Sequence, residues 1–168
     1  MTSRADPRPA QVRVERHAGL DRITVGGPIS AEMHVDLFAL LERKLAKTCV
    51  IDFTDVTWID SSGTRSWLLF IRDFVTSHQV TFENCTADVV MAIQMFPSFA
   101  VGCQVRTAFS RYCCENCKRT ESFLIEIATL DPKNPTLPER ICGECGTTMV
   151  LDDDPASFAA IIPGAAAA

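Results

Sequence analysis

The sequence predicts an α/β fold, in which a mixed β-sheet carries packed helices, followed by a small cysteine-rich unit. Three observations lead to this prediction. Residues 50–75 change from an alternating apolar pattern to a helical one, which indicates a strand followed by a helix. Further alternating segments and helical stripes succeed each other along residues 12–110. Five of the eight cysteines lie between positions 113 and 145.

Composition narrows the possible functions. A chain of 168 residues with 47% apolar residues can bury one core and carry a small appendage. The formal net charge of −5 disfavours a nucleic-acid partner for the chain as a whole. No apolar run approaches the roughly 18 residues of a membrane helix. Residues 1–11 contain charges and prolines but no apolar segment, which predicts a flexible tail without a signal peptide and a cytoplasmic protein.

The first elements predicted are a hairpin and a helix. Residues 12–17 and 21–25 alternate as two short strands, and the Gly26–Pro28 segment is expected to end the second. Ser30 is positioned to cap a helix over residues 31–46. The apolar stripe of that helix consists of Met33, Leu37, Leu40, Leu41 and Leu45.

The central elements are a strand, a turn and a helix. Residues 49–53 alternate as a strand, and the turn Asp60-Ser61-Ser62-Gly63 follows. Helical spacing then relates Trp67, Leu68, Ile71, Phe74 and Val75. Serines in such a turn can cap the helix, and its positive end tolerates a phosphate.

The next elements complete a βαβα order. Residues 80–83 form a short strand, and Thr86 can cap a helix over residues 87–96, which Pro97 stops. Residues 104–109 alternate as a last strand.

The Asp-Ser-Ser-Gly turn follows an apolar strand ending in Asp-Phe-Thr-Asp-Val and precedes an apolar helix, and in this setting it resembles the STAS domain. That family includes the anti-sigma-factor antagonists. The resemblance covers about residues 12–110, judged by the order of elements. In the phosphorylatable members the first serine of the motif accepts phosphate from a partner kinase, which corresponds here to Ser61, with Ser62 as second choice. The alternative is a plain capping turn without phosphorylation.

The resemblance implies a non-enzymatic regulatory module that binds a protein partner and is switched by phosphorylation. The surface expected to bind consists of Asp60, Ser61, Ser62, Gly63 and Thr64. The expected partner is a serine kinase or an anti-sigma factor. The alternative is a non-phosphorylated STAS subunit of a membrane transport complex, docked on the transporter's cytosolic ATPase without inserting into the membrane. No Ser/His/Asp set, phosphate loop or paired-carboxylate site indicates an enzyme.

The cysteine-rich unit contains two CxxC motifs, Cys114-x-x-Cys117 and Cys142-x-x-Cys145, with 24 residues between them. Two thiolates in each tight turn can hold one tetrahedral ion from opposite sides. Strands at 122–128 and 147–151, with a proline-rich loop between, make the segment from about 112 to 151 resemble a zinc ribbon. Four thiolates close the site, so the expected cofactor is a structural Zn²⁺.

Other interpretations of the cysteines stay open. Paired redox dithiols and a [4Fe–4S] cluster also use such motifs. Cys113 could replace Cys114 as a ligand, although the spacing favours Cys114. Residues 101–146 contain six basic and six acidic residues, so the unit has no basic patch for nucleic acid. The unit is assigned to residues 111–154, after a STAS-like domain over 12–110, and residues 155–168 to a short helix at 157–162 and a disordered tail.

Overall fold

The structure is a computed structural model that describes residues 9–159 and 161–162. The first sheet consists of β1 Gln11–His17, β2 Leu20–Ile29, β3 Thr48–Ile59, β4 Gln79–Glu83 and β5 Cys103–Val105. Its strands lie in this order, with β1 antiparallel to β2 and the other neighbours parallel. The α-helices are α1 His34–Leu41, α2 Ser61–Phe74, α3 Ala87–Met95 and α4 Ala156–Ala159, and single 3-10 turns cover Ala31–Met33, Pro97–Ala100 and Ile127–Thr129. A second, antiparallel sheet consists of β6 Thr107–Cys113, β7 Thr120–Glu126, β8 Arg140–Ile141 and β9 Thr148–Leu151, in the order β7-β6-β9-β8.

The main core lies between one face of the first sheet and the helices. Ile23, Ile51 and Phe82 are side by side in the register of β2, β3 and β4, and all three are fully buried. Trp67 of α2 packs on this layer and stacks on Phe99, with ring centroids 5.1 Å apart. Its indole N–H donates to the carbonyl oxygen of Phe99 at 2.9 Å. The predicted fold class, a mixed sheet with packed helices and a small cysteine-rich sheet, is confirmed.

The opposite face of the first sheet carries ion pairs. Arg22 donates to Asp52 at 2.8 Å and to Glu83 at 2.7 Å, and Arg106 reaches Glu83 at 2.7 Å. Because Glu83 is only 5% exposed, its carboxylate needs these two cationic partners. This face is therefore held by paired charges, and the helices are confined to the other face.

The end of the second strand differs from the sequence prediction. The segment Gly26–Pro28 does not end the second strand, because β2 stays paired with β3 as far as Ile29 across two register shifts. Pro28 lies at one of these shifts, where the missing N–H is tolerated. The long-range pairing with β3 decides this boundary, and the local glycines do not.

The first helix is shorter than predicted. It ends at Leu41 instead of continuing to 46, and Ser30 makes no side-chain capping bond. The N–H of Ala46 donates to the buried carboxylate of Asp21 at 2.6 Å, and the carbonyl of Lys44 accepts from Arg16 at 3.1 Å. These backbone groups hold the loop to the first hairpin and are not used in helical bonds.

The predicted strand at 104–109 is divided between the two sheets. Arg106 lies between β5 and β6, and its N–H donates to Phe82 while its carbonyl accepts from Ile127. The boundary expected after residue 110 falls inside β6, and the strand predicted at 122–128 is β7 followed by a 3-10 turn. Buried Ile125, Ile127, Leu130 and Phe158, from the C-terminal part of the chain, belong to the main core.

The C-terminal end returns to the first domain. The N–H of Ala156 donates to Asp154 at 2.9 Å, and α4 follows in place of the predicted helix at 157–162. Residues 1–8, 160 and 163–168 lie outside the described residues, and with them most of the tails expected to be flexible or disordered. Across the described part of the chain, no helix is long and apolar enough to span a membrane.

Candidate functional site

The turn between β3 and α2 is capped by Asp60 and not by a serine. The Oδ1 atom of Asp60 accepts from the N–H of Gly63 at 2.6 Å, and its carbonyl accepts from the N–H and the hydroxyl of Thr64. These bonds satisfy N–H groups that are free at a helix N-terminus. The side chains of Ser61 and Ser62 therefore do not cap α2, although the sequence predicts a serine cap.

Gly63 brings the start of α2 against the end of β2. A Cβ atom at this position would lie 1.9 Å from the carbonyl oxygen of Ile29 and 2.7 Å from the nitrogen of Ser30. The N–H of Asp60 donates to the same Ile29 carbonyl at 3.1 Å. Only glycine permits this approach, which fixes the first turn of α2 on the sheet.

Ser61 and Ser62 occupy the first turn of α2 and are both exposed. Within the described residues, neither hydroxyl makes a hydrogen bond. Ser61 faces the gap between α2 and α3, whereas Ser62 is not among the residues that line it. Of the expected binding residues, Asp60, Ser61 and Thr64 line this gap, whereas Gly63 is buried against the end of β2.

The gap is an apolar groove, here called the α2–α3 groove, with a volume of about 590 Å³. Met91, Met95, Phe96 and Leu69 are between 38% and 65% exposed in it. The remaining lining residues are Ile59, Asp60, Ser61, Thr64, Arg65, Leu68, Asp88 and Ala92. Several exposed large apolar side chains in one place indicate a binding surface for another molecule.

Sequence reasoning did not find the contribution of α3 to this groove. The helix has apolar residues on two sides, and this appeared in the sequence as mixed spacing. Val89 and Ile93 face the core, while Met91 and Met95 face outward. A second apolar stripe on a helix that already has a buried stripe was the available signal.

A second candidate site is formed by the sulfur atoms of Cys114, Cys117, Cys142 and Cys145, which all lie within 4.8 Å of one another. The Sγ atoms of Cys114 and Cys145 are 3.5 Å apart, as are those of Cys117 and Cys142. Cys113 lies outside this cluster, with its Sγ atom 3.9 Å from the Cys114 carbonyl. The arrangement brings together the four cysteines of the two CxxC motifs.

Each motif forms the same turn. The N–H of Lys118 donates to Cys114 at 2.8 Å, and the N–H of Gly146 donates to Cys142 at 2.9 Å. Lys118 and Gly146, four residues after the first cysteine of each motif, have φ angles of 60° and 69°. A left-handed residue at this place is accessible to glycine without strain, which explains Gly146. A Cβ atom at Gly143 would meet nothing within 4 Å, so that glycine is not required by space.

Neighbouring groups change the ionisation of two thiols in the cluster. The nearby Thr147 hydroxyl and N–H lower the pKa of the Cys145 thiol to about 6. A bond from Arg119 lowers the pKa of Cys117, but contacts with Cys142 and the other thiols outweigh it and raise that pKa to about 12. Thiolates this close together repel one another, and a positive ion among them would compensate their charge.

The cluster fits a zinc ion. Four thiolates at about 2.3 Å from a tetrahedral ion are about 3.8 Å from one another, close to the observed sulfur contacts. The apolar cluster around the site is small, with Tyr112, Cys114, Cys142 and Met149 buried in it. A sheet with so few buried side chains needs an additional constraint, which a metal ion would supply.

Cys49, Cys85 and Cys103 belong to the main core or pack against it. Cys49 and Cys85 are fully buried. Burial raises the pKa of Cys49 to about 11 and that of Cys103 to about 12. Protonated thiols of this kind are unreactive.

Comparisons with known proteins find structural likeness alone. No family model and no curated protein matches the chain. Among solved structures, an anti-sigma factor antagonist from Mycobacterium paratuberculosis matches at 15% identity and a TM-score of 0.46, over 55% of this chain and 82% of that one. The anti-sigma factor antagonist SpoIIAA in its unphosphorylated form matches at 16% identity and a TM-score of 0.42, over 56% and 87%. Likeness at these values does not assign a function.

Proposed function

We propose that this chain is a regulatory protein-binding module of the anti-sigma-factor-antagonist type, switched by phosphorylation of Ser61. The observation that carries the proposal is the position of Ser61, which is both at the N-terminus of α2 and on the rim of the α2–α3 groove. Its hydroxyl is exposed and makes no bond within the described residues. A kinase can therefore reach it without unfolding the turn.

The α2–α3 groove is the proposed contact surface. Its occupant is a segment of a serine kinase or anti-sigma factor that carries apolar side chains for Met91, Met95 and Phe96. Burying such side chains on both partners supplies the binding free energy, at about 25 cal/mol per Å² of apolar area. Ser61 lies at the edge of this contact, where a modification meets the partner directly.

A phosphate on Ser61 opposes this contact. It adds about −1.5 to −2 charges at pH 7. The groove already carries the carboxylates of Asp60 and Asp88 against the guanidinium of Arg65, so the phosphate increases a negative balance. In the free protein the helix N-terminus stabilises the added charge. In the complex the same charge must lose its water, which costs several kcal/mol without a cationic partner.

The test uses the full chain as bait in a lysate of the native cell, with captured proteins identified by mass spectrometry. Affinity for the captured partner is then compared between the wild type, Ser61→Ala and Ser61→Asp. Ser62→Asp is the matched control, because it adds the same charge in the same helical turn but outside the groove lining. We expect Ser61→Asp alone to weaken binding, by about tenfold or more, or 1.4 kcal/mol.

Two results would contradict the proposal. Equal affinity of all four proteins would mean that the rim of the groove is not part of the contact. Capture of a transporter ATPase with no effect of Ser61→Asp would support the alternative, a constitutive subunit of a transport complex.

We further propose that Cys114, Cys117, Cys142 and Cys145 hold one structural zinc ion. The close set of four sulfurs in two equivalent turns supports this assignment. The ion would supply no chemistry of its own, since four thiolates leave no open position. We also propose that the chain consists of a STAS-like domain and a zinc ribbon, and that β6 belongs to both.

A further inference from the structure

Helix α3 lies between two cavities. One is the α2–α3 groove, and the other is a cleft of about 400 Å³ between α3, α4 and the second sheet. Asp88 and Met91 line both. A single helix therefore separates the proposed contact surface from the part of the chain that follows β5.

The strand that leads to the cysteine cluster is hydrogen-bonded to the loop before α3. Within β6, Thr107 accepts from the N–H of Asn84 through its hydroxyl at 2.8 Å and from the N–H of Cys85 through its carbonyl at 3.1 Å. The N–H of Phe109 donates to the carbonyl of Cys85 at 2.8 Å. These bonds fix β6, which ends next to Cys114, to the residues that precede α3.

The strand that follows the cysteine cluster leads to the other side of α3. After β9, a carboxylate oxygen of Asp153 accepts from the N–H of Arg111 at 2.6 Å and from the hydroxyl of the buried Ser110 at 3.2 Å. Helix α4 then packs on α3, and its Phe158 is 1% exposed. The Asp153 contacts to β6 and the burial of Phe158 in the main core together hold α4 beside α3.

We propose that metal binding at the four cysteines controls the position of α3, and through α3 the shape of the α2–α3 groove. With the ion bound, β6 and β9 are fixed beside each other, and the Asp153 contacts and α4 hold α3 from the cleft side. Without it, the small cluster around Tyr112 and Met149 must hold these strands alone. Partner binding would then respond to metal as well as to phosphorylation. The biological consequence rests on the proposed function, whereas the movement of α3 does not.

The test is hydrogen exchange of the full chain, measured by mass spectrometry with zinc bound and after removal of zinc with EDTA. We expect the hydrogen-exchange rates to rise about tenfold in α3 and in β6 to β9, an effect of the size found between coupled binding sites. The rates should stay unchanged in β2, β3 and β4. Addition of zinc should restore the original rates. No partner is needed, so failure here is distinguishable from failure of the Ser61 switch.

A variant separates the α4 contact from the metal itself. Phe158→Ala should raise exchange in α3 while zinc stays bound, and EDTA should then add a smaller increase than in the wild type. Phe158→Leu, which keeps most of the buried volume, is used if the alanine variant does not fold. Ile141→Ala is the control, because Ile141 is 59% exposed in the second sheet. An unchanged α3 on zinc removal, or equal loss of protection in every strand, would overturn the proposal.

Discussion

Replacing Gly63 by alanine tests how α2 is seated on the sheet. The added methyl group would lie 1.9 Å from the carbonyl oxygen and 2.3 Å from the carbonyl carbon of Ile29. Both are backbone atoms of a paired strand, so no side chain can turn away. The contact must open to at least 3.0 Å, which requires a shift of α2 by about 1 Å.

The expected loss of stability follows from three contributions. Overpacking of this kind costs about 1–3 kcal/mol. Weakening the bond from Asp60 to Ile29 costs about 0.5–1.5 kcal/mol. Alanine recovers up to about 1 kcal/mol, because it is the better helix former. The net loss is about 2 kcal/mol, or a fall in Tm of about 4–8 °C for a domain of this size.

The assay is thermal unfolding followed by circular dichroism, with Ser62→Ala as the control. Ser62 is exposed in the same turn, and its hydroxyl makes no hydrogen bond within the described residues. The Tm of the Ser62→Ala protein should therefore differ little from that of the wild type. A Gly63→Ala protein as stable as Ser62→Ala would refute the close contact between α2 and β2.

Two further predictions concern ionisation and metal. The Arg16 guanidinium and the Ala46 N–H lower the pKa of Asp21 to about 2. The ionised carboxylate therefore contributes fully to stability above the ordinary aspartate pKa of about 3.9. This contribution is lost as the pH falls through 2. Asp21→Asn should therefore lower stability at pH 7 and reduce its pH dependence between about 4 and 2, measured by urea unfolding; an unchanged pH profile would contradict the pairing. In elemental analysis, the Cys114→Ser protein should contain no zinc, whereas the Cys113→Ser protein should contain one zinc ion per chain. The reverse result would assign the ligand to Cys113.

Features determined by neighbouring residues could be predicted from the sequence. The strand, turn and helix around Ser61 follow from a change of apolar period, and the structure has them there. The grouping of the four cysteines follows from two short motifs whose turns are local. The sequence predicts a serine cap where the structure has Asp60, because Asp60, Ser61 and Ser62 are all good N-cap residues. No local pattern determines which of them takes the extended φ and ψ of an N-cap.

Features determined by distant residues could not be predicted. The loop that replaces the predicted end of the first helix is held by Asp21, which lies 25 positions before Ala46. The continuation of β2 through Pro28 depends on pairing with β3. The α2–α3 groove depends on the packing of two helices, and its local signal is limited to the second apolar stripe of α3. Tertiary contacts override local preference in each of these cases.

The most direct measurement of the proposed switch uses the chain with phosphoserine incorporated at position 61 or at position 62. Both proteins carry the same charge in the first turn of α2, but only Ser61 lines the α2–α3 groove. Affinity for the captured partner is measured by titration calorimetry, beside the unmodified chain. We predict that phosphate at 61 abolishes binding and that phosphate at 62 leaves most of it. Equal binding by the three proteins would contradict a switch at Ser61.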